Sequence, residues 1–513
     1  MTFMSIPWRF KKRTWPRGSI SFLVLTVILS LVFPGCSSSP TGQDAGETNS
    51  AAPSAPPSAS GQQTSTESKT IQDLSSYLDR LSAEDQFSGV VLLAKDGESL
   101  FEQAYGYADR ASDAFNNLET KFNMASVGKM FTAVAIMQLV QEGKLSLDDK
   151  LSDLIPGYPN QDAANKITVR QLLTHTSGLG DIFTEAYEKS DRSKYRTLDS
   201  YLPLFVNEPL QFEPGEKYAY SNAGFIVLGL IVERVTGTDY YQYVDKNIFE
   251  PAGMADTGFY SESDNVPNLA LGYTNRVIII PGETDAGSRT VAPLGTGTSA
   301  GGVYSTASDM LRFSDALQDY KLIDAERVDL LFAGNGIVSV EENGIRIVGH
   351  SGGNNGVSTN IDIYPDLGYT VIALSNYDEG PRLFNERLRW QLTGNDIPQV
   401  MELSDSDLKA FEGQYKAEAP SSGQEKNIII MGPGPEGAGV PQQMPITVTA
   451  IDGGLQVNLR GSVYHFVPVS PTEFYDYADP RSRLTFNKDE TGRIIGLSVS
   501  GGQIRETASK IEE

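Results

Sequence analysis

The chain has 513 residues, 40% of them apolar, which is ordinary for a globular protein and long enough for two or three domains. Its 65 acidic residues outweigh 41 basic ones for a formal charge of −24, which argues against nucleic acid or an anionic lipid surface as partner. A single cysteine excludes an internal disulfide and a thiolate metal cluster, so no metal or cofactor is expected.

The N-terminus differs from the rest. Arg9, Lys11, Lys12, Arg13 and Arg17 precede the apolar run "ISFLVLTVILSLVF" (20–33), too short to span a bilayer comfortably but suited to a signal peptide over 1–35. Cys36 follows at once. "VFPGC" resembles a bacterial lipobox, with cleavage ahead of a lipidated Cys36; the alternative is a chance cysteine after an ordinary signal. Losing those five cations takes the charge from −24 to −29. "SSSPTGQDAGETNSAAPSAPPSASGQQTSTES" (37–68) has almost no large apolar residue, so 36–70 is expected to be a flexible tether. The expected address is therefore the exported side of a membrane, at the cell envelope, held there by an N-terminal lipid anchor.

"IQDLSSYLDRLS" (71–82) has helical spacing. "GVVLLA" and "SLFEQAYGYA" flank Asp96-Gly97, a strong hairpin signal. "VGKMFTAVAIMQLVQEG" is apolar nearly all round and predicts a buried helix ending at Gly143. "ITVRQLLTHTSG" (167–178) opens on a Thr168…Gln171 capping box, and the helix is expected to stop at Gly178. "NAGFIVLGLIVERVTG" predicts a helix closed by Gly237, and "VSTNIDIY" and "YTVIALSNY" a hairpin across Pro365–Gly368. Strand pairs at both ends with helices between imply an α+β fold over 71–399, one antiparallel sheet with a helical subdomain. Beyond 400, short strand patterns ("KNIIIM", "PITVTAI", "GLQVNL", "YHFVPVS", "RLTFN", "GLSVSG") imply a small all-β domain, 400–513.

His175, His350 and His465 are far apart, with no His-x-x-x-His pair and no Gly-x-Ser-x-Gly elbow. A hydrolase of this composition needs a serine activated by something other than histidine. Ser126 and Lys129 share a helix face three residues apart, at the mouth of the buried helix. Burial disfavours the charged lysine, so a neutral amine can take the Ser126 proton. Ser406–Lys409 has the same spacing but reads as solvated, and Lys129 could equally be a lysine snorkelling from the helix mouth. Tyr220-Ser221-Asn222 heads the second apolar helix. Beside a buried ammonium Tyr220 is expected to be stabilised as phenolate, with Asn222 orienting Lys129 and a substrate amide. A plain Ser/Asn helix cap is the alternative, and "YPN" (158–160) and "YTN" (273–275) compete. "GHSGGNNG" (349–356) offers His350 as a hydrogen-bond donor and glycines for close approach, or else a glycine-rich turn.

Taken together, "SVGK", "YSN" and "HSGG" resemble the serine β-lactamase and penicillin-binding superfamily, in its class C-like branch. "LLTHTSGL", "FEPGEKYAYSNAGFIVLGLIVERVTG", "GMADTGF" and "AGGVYSTASDMLRF" extend the likeness over roughly 72–398. The resemblance implies Ser126 as acylated nucleophile, Lys129 as its activating partner, and Tyr220 as general base and leaving-group acid. It implies Asn222 as a substrate contact, His350, Ser351 and Gly352 on the site-lining strand, and an oxyanion hole from the Ser126 and Gly353 amides. It makes His175 a structural position and the C-terminal region a lipocalin-like domain. The expected activity is acyl-enzyme hydrolysis of amides or esters, as a D-alanyl-D-alanine carboxypeptidase, D-amino-acid peptidase or β-lactamase-like enzyme. A carboxylesterase, or a lipoprotein binding β-lactam or peptidoglycan without turnover, are the alternatives. One departure bears on substrate. The family usually has lysine where His350 stands, and a neutral histidine weakens carboxylate recognition.

Overall fold

The computed structural model describes residues 59–260, 264–274, 289–291, 297–417, 445–459, 462–501 and 504–511. The expected signal peptide, Cys36 and the "KNIIIM" strand lie outside them. Among the described residues no helix is long and apolar enough to cross a membrane.

A six-stranded antiparallel sheet is built from both ends of the first domain: β1 (Gly89–Lys95), β2 (Glu98–Tyr105), β3 (Val338–Glu342), β4 (Ile345–Asn354), β5 (Val357–Tyr364) and β6 (Tyr369–Ser375), in the order β2-β1-β6-β5-β4-β3. The Asp96-Gly97 and Pro365–Gly368 turns close the predicted hairpins, with Asp96, Gly97 and Gly368 at positive φ. "GVVLLA" is apolar throughout because β1 is covered on both faces. Val90, Leu92 and Ala94 face the larger core, while Val91 and Leu93 face a smaller one.

The smaller core is closed by α1 (Ala59–Ala83), whose Leu74, Tyr77, Leu78 and Leu81 recur at helical spacing. This helix starts at Ala59, inside the segment expected to be tether up to residue 70. Composition had pointed to an open chain because these residues bury little by themselves. The docked second half nucleates the helix, and each earlier residue then adds a hydrogen bond at little further cost. Glu67 holds this part to the sheet, pairing with Lys95 and accepting from the Tyr369 hydroxyl at 2.6 Å.

The larger core holds α2 (Lys129–Gln141), α3 (Val169–Leu173), α4 (Asn222–Thr236) and α5 (Ala307–Gln318). The capping box at Thr168 forms as expected, but α3 stops at Leu173 rather than Gly178. The Thr174 hydroxyl bonds back to the Arg170 carbonyl and His175 swings into the left-handed region (φ 55°), so the chain leaves the helix early.

Eight further strands, β7 (Gly413–Ala417), β8 (Ile446–Ile451), β9 (Gly454–Leu459), β10 (Ser462–Pro468), β11 (Glu473–Asp476), β12 (Arg483–Lys488), β13 (Ile494–Gly501) and β14 (Ile504–Lys510), close into an antiparallel barrel in chain order. Its interior is apolar, with Tyr415, Val457, Phe474, Leu484 and Leu497 buried. The barrel docks through α6 (Asn385–Leu392). Arg387 lies 4.1 Å over the Tyr477 ring, and Arg481 pairs with Glu386. Arg389 in turn holds Asp362 of β5 with two bonds of 2.7 Å. Asp362 stands opposite Gly349, the residue before His350.

Candidate active site

Ser126 is carried by a 3-10 turn, Ala125–Gly128, directly ahead of α2. In such a turn residues i and i+3 eclipse one another, which brings Lys129 Nζ to 3.2 Å from Ser126 Oγ. Ala125 takes a positive φ of 43°, which costs an alanine about 1 kcal/mol. Its neighbours hold it there. The Ala125 amide donates to Asn123 Oδ1 at 2.8 Å, Gly302 donates to the Ala125 carbonyl at 3.0 Å, and the Thr359 hydroxyl donates to the Met124 carbonyl at 2.9 Å. Gly301 must be glycine, since a Cβ there would lie 2.3 Å from the Ala125 oxygen.

Lys129 is fully buried. Its Nζ meets Asn222 Oδ1 at 2.7 Å and the Ala300 carbonyl as well as Ser126. Neither the carbonyl nor the amide oxygen can donate. A neutral amine has two N–H bonds and one lone pair; those two oxygens take the N–H bonds and leave the lone pair for the Ser126 hydroxyl. Burial lowers the Lys129 pKa to about 7, against a smaller upward pull from Asp181. The orientation of Asn222 is fixed from its other end, where Nδ2 donates to the Asp181 carboxylate at 2.9 and 3.2 Å. The sequence reading missed Asp181. The signal was present in "SGLGDIF", a carboxylate just beyond the His175 turn, but nothing in the pattern ties it to residue 222.

Tyr220 enters the site as expected, but not as a phenolate. Burial pushes its hydroxyl well above the ordinary tyrosine range, partly offset by a bond with Ser126. Lys129 Nζ sits 4.9 Å from the centre of its ring, so the amine faces the π-cloud. With the Lys129 pKa lowered to about 7, the amine is no longer a permanent ammonium that could hold a phenolate. His175 stacks on the Tyr220 ring at 4.4 Å, and its Nδ1 accepts from the Ser221 amide at 3.1 Å. Burial lowers the His175 pKa to about 3, with Lys129 and His350 adding to the effect, so the ring is a neutral support for the tripeptide. Ser221 also caps α4 through the Gly224 amide, so the helix-cap and site readings of "YSN" hold together.

β4 supplies the opposite wall. His350 is buried, its pKa lowered to about 4 by burial and then by Lys129, and its Nδ1 is turned to the Ser351 carbonyl at 2.5 Å. It brings no charge to the cleft at neutral pH. Ser351 and Gly353 are exposed, and β3 pairs with β4 only as far as Gly349. Among the described residues no strand covers Ser351–Asn354 on that side. Gly352 faces the Ser126 turn, where a Cβ would lie 2.4 Å from the Met124 oxygen, whereas nothing lies within 4 Å of one at Gly353. Gly352→Ala should therefore lower kcat/KM by about 100-fold through displacement of Ser126, and Gly353→Ala should stay within about fivefold of wild type. Equal effects in steady-state assays would refute this account of the wall.

The other candidates stay apart. His465 lies on β10 of the barrel, Ser406 and Lys409 are exposed, and Tyr158 is a core residue while Asn160 caps a short helix. The third residue of "YTN" (273–275) lies outside the described residues. Among the described residues no three His, Cys, Asp or Glu side chains are grouped to hold a metal ion.

An antiparallel sheet backed by helices, a buried Ser-x-x-Lys and a Tyr-x-Asn define a serine hydrolase of the β-lactamase and penicillin-binding type. The sequence model of the family described as Beta-lactamase matches residues 74–394, and the chain belongs to that family. It is 33% identical over 330 residues to penicillin-binding protein 4* of Bacillus subtilis (strain 168), covering 60% of this chain and 72% of that protein. Among solved structures, the D-amino acid amidase of Ochrobactrum anthropi SV3 complexed with D-phenylalanine is 25% identical, with a TM-score of 0.52 over 61% of this chain and 92% of the amidase. The octameric penicillin-binding protein homologue from Pyrococcus abyssi shares the fold at 21% identity, with a TM-score of 0.58 over 85% of this chain and 99% of its own.

Proposed function

We propose that the protein hydrolyses amide bonds of D-amino-acid peptides or amides through an acyl-enzyme on Ser126, at the cell envelope, where Cys36 carries its lipid anchor. The observation that carries this reading is the buried Lys129 amine, held by Asn222 Oδ1 and the Ala300 carbonyl with its Nζ 3.2 Å from Ser126 Oγ. Ser126 Oγ attacks the substrate carbonyl carbon while its proton passes to Lys129. The Ser126 and Gly353 amides take the developing oxyanion. As the C–N bond breaks, the protonated Tyr220 gives its proton to the leaving amine and recovers one from the Lys129 ammonium. Water then attacks the ester carbonyl with its proton passing to Lys129, and as the C–Oγ bond breaks that proton returns to Ser126 Oγ and the acid leaves. The cleft's neutral His350 supports substrates recognised by something other than a terminal carboxylate, and the likeness to a D-amino acid amidase supports the D-configuration.

The detergent-solubilised full chain, assayed on D- and L-phenylalanine amide, a D-alanyl-D-alanine peptide, p-nitrophenyl acetate and a fluorescent penicillin, should release product from the D-amide and D-peptide substrates. Turnover of the ester alone would make it a carboxylesterase. Permanent penicillin label without turnover would make it a binding lipoprotein.

A further inference from the structure

We propose that Asp181, held by Asn222 beside the catalytic lysine, forms a subsite for the free ammonium group of the substrate, so that the enzyme prefers an amino-terminal D-residue to an N-acylated one. This rests on the reading of the cleft as an amide hydrolase site and adds the part of the substrate it recognises.

Asp181 follows the His175 turn and the "SGLG" segment, and it is half-buried. Oδ1 accepts from the Phe183 amide at 3.1 Å and from Asn222 Nδ2 at 3.2 Å. Among the described residues Oδ2 accepts only from Asn222 Nδ2, at 2.9 Å, which leaves it a lone pair for a further donor. Among the described residues no lysine, arginine or histidine forms an ion pair with it. Asn222 alone separates it from Lys129, through bonds of 2.9 Å to Asp181 and 2.7 Å to the lysine, so it lies close to the reacting groups.

The chemistry of the other walls sharpens the selection. His175 and His350 are neutral, Tyr220 keeps its proton, and Lys129 is bound to two oxygens. Among the described residues bonded to one another here, Asp181 is the carboxylate. A carboxylate placed so attracts a cation and repels an anion, the reverse of a site with lysine at position 350. In an α-amino amide the ammonium is one carbon removed from the carbonyl that Ser126 attacks.

Binding to the full-length Ser126→Ala protein reads the subsite without turnover. By calorimetry at pH 8, D-phenylalanine amide hydrochloride, tested at a pH where a sizeable fraction is cationic, should bind at least about tenfold tighter than neutral N-acetyl-D-phenylalanine amide. Adding Asp181→Asn, which keeps an acceptor for Asn222, should remove that preference while the N-acetyl compound keeps its affinity. Asp181→Glu, which restores the charge, should recover part of it. Equal affinities in the Ser126→Ala protein, or an equal loss for both ligands on Asp181→Asn, would overturn the subsite and leave Asp181 as a positioning residue for Asn222. The hydrolase reading fails separately, by absence of Ser126-dependent turnover in the wild type.

Discussion

Ser126→Ala should lower kcat/KM on every hydrolysed substrate by about 10⁴-fold or more and abolish any covalent penicillin adduct that the wild type forms in intact-mass spectra. The size of the effect follows from the mechanism. Without Oγ no bond forms to the carbonyl carbon, and Lys129 alone has only water to activate. The fold should barely notice. Ser126 is half-buried, its turn is held by backbone bonds to Gly302 and Val303 and by Thr359, and the substitution leaves Ala125 in its left-handed conformation. Losing the single bond to Lys129 is worth about 1 kcal/mol, so urea midpoints should shift little. Retention of turnover within tenfold of wild type, in protein free of wild-type contamination, would remove Ser126 from the mechanism and the acyl-enzyme with it.

The contact between Ser126 and Lys129 was legible because they lie three residues apart, and a lysine in an apolar helix is costly unless something uses it. The α+β sheet and the β-rich end were legible from hairpin signals and alternation. What was not legible depends on long-range contact. Asp181 reaches Asn222 across 41 positions, and Ala300, whose carbonyl holds Lys129, is 171 positions away. Neither side of such a pair carries a local pattern. The expectation for Tyr220 failed for a related reason. The sequence placed a phenol near an ammonium, but only the packing shows that both are desolvated and that the amine meets the ring. Likewise the start of α1 depends on Glu67 reaching Lys95 and Tyr369, contacts that a serine-rich composition does not reveal.

Lys129→Arg should lower kcat/KM by about 10³-fold, because a guanidinium stays protonated at any working pH and has no lone pair to offer Ser126. In the wild type, kcat/KM should climb with pH and level off above about 7 as Lys129 loses its proton. Tyr220→Phe separates the two candidate bases. If Lys129 is the base, the variant keeps the rising limb near pH 7 and loses turnover of amides far more than of p-nitrophenyl esters, whose leaving group needs no proton. A limb that disappears with the Tyr220 hydroxyl would instead make the phenol the base. The same lowered pKa has a stability counterpart whose sign is fixed. Unfolded Lys129 takes up its proton near 10.5, and the folded residue only near 7, so between these values the unfolded state binds more protons and stability rises with pH. The cost of burying this amine is absent above about pH 10.5, grows as pH falls and is complete near 7. Comparing urea unfolding of wild type and Lys129→Met at pH 7 and pH 10 isolates it, since other groups titrate in both proteins. The difference between them should change by on the order of 3 kcal/mol across that interval, in the wild type's favour at the higher pH. A difference that stays flat would mean the lysine remains an ammonium in the fold, and Ser126 would then have no base at Lys129.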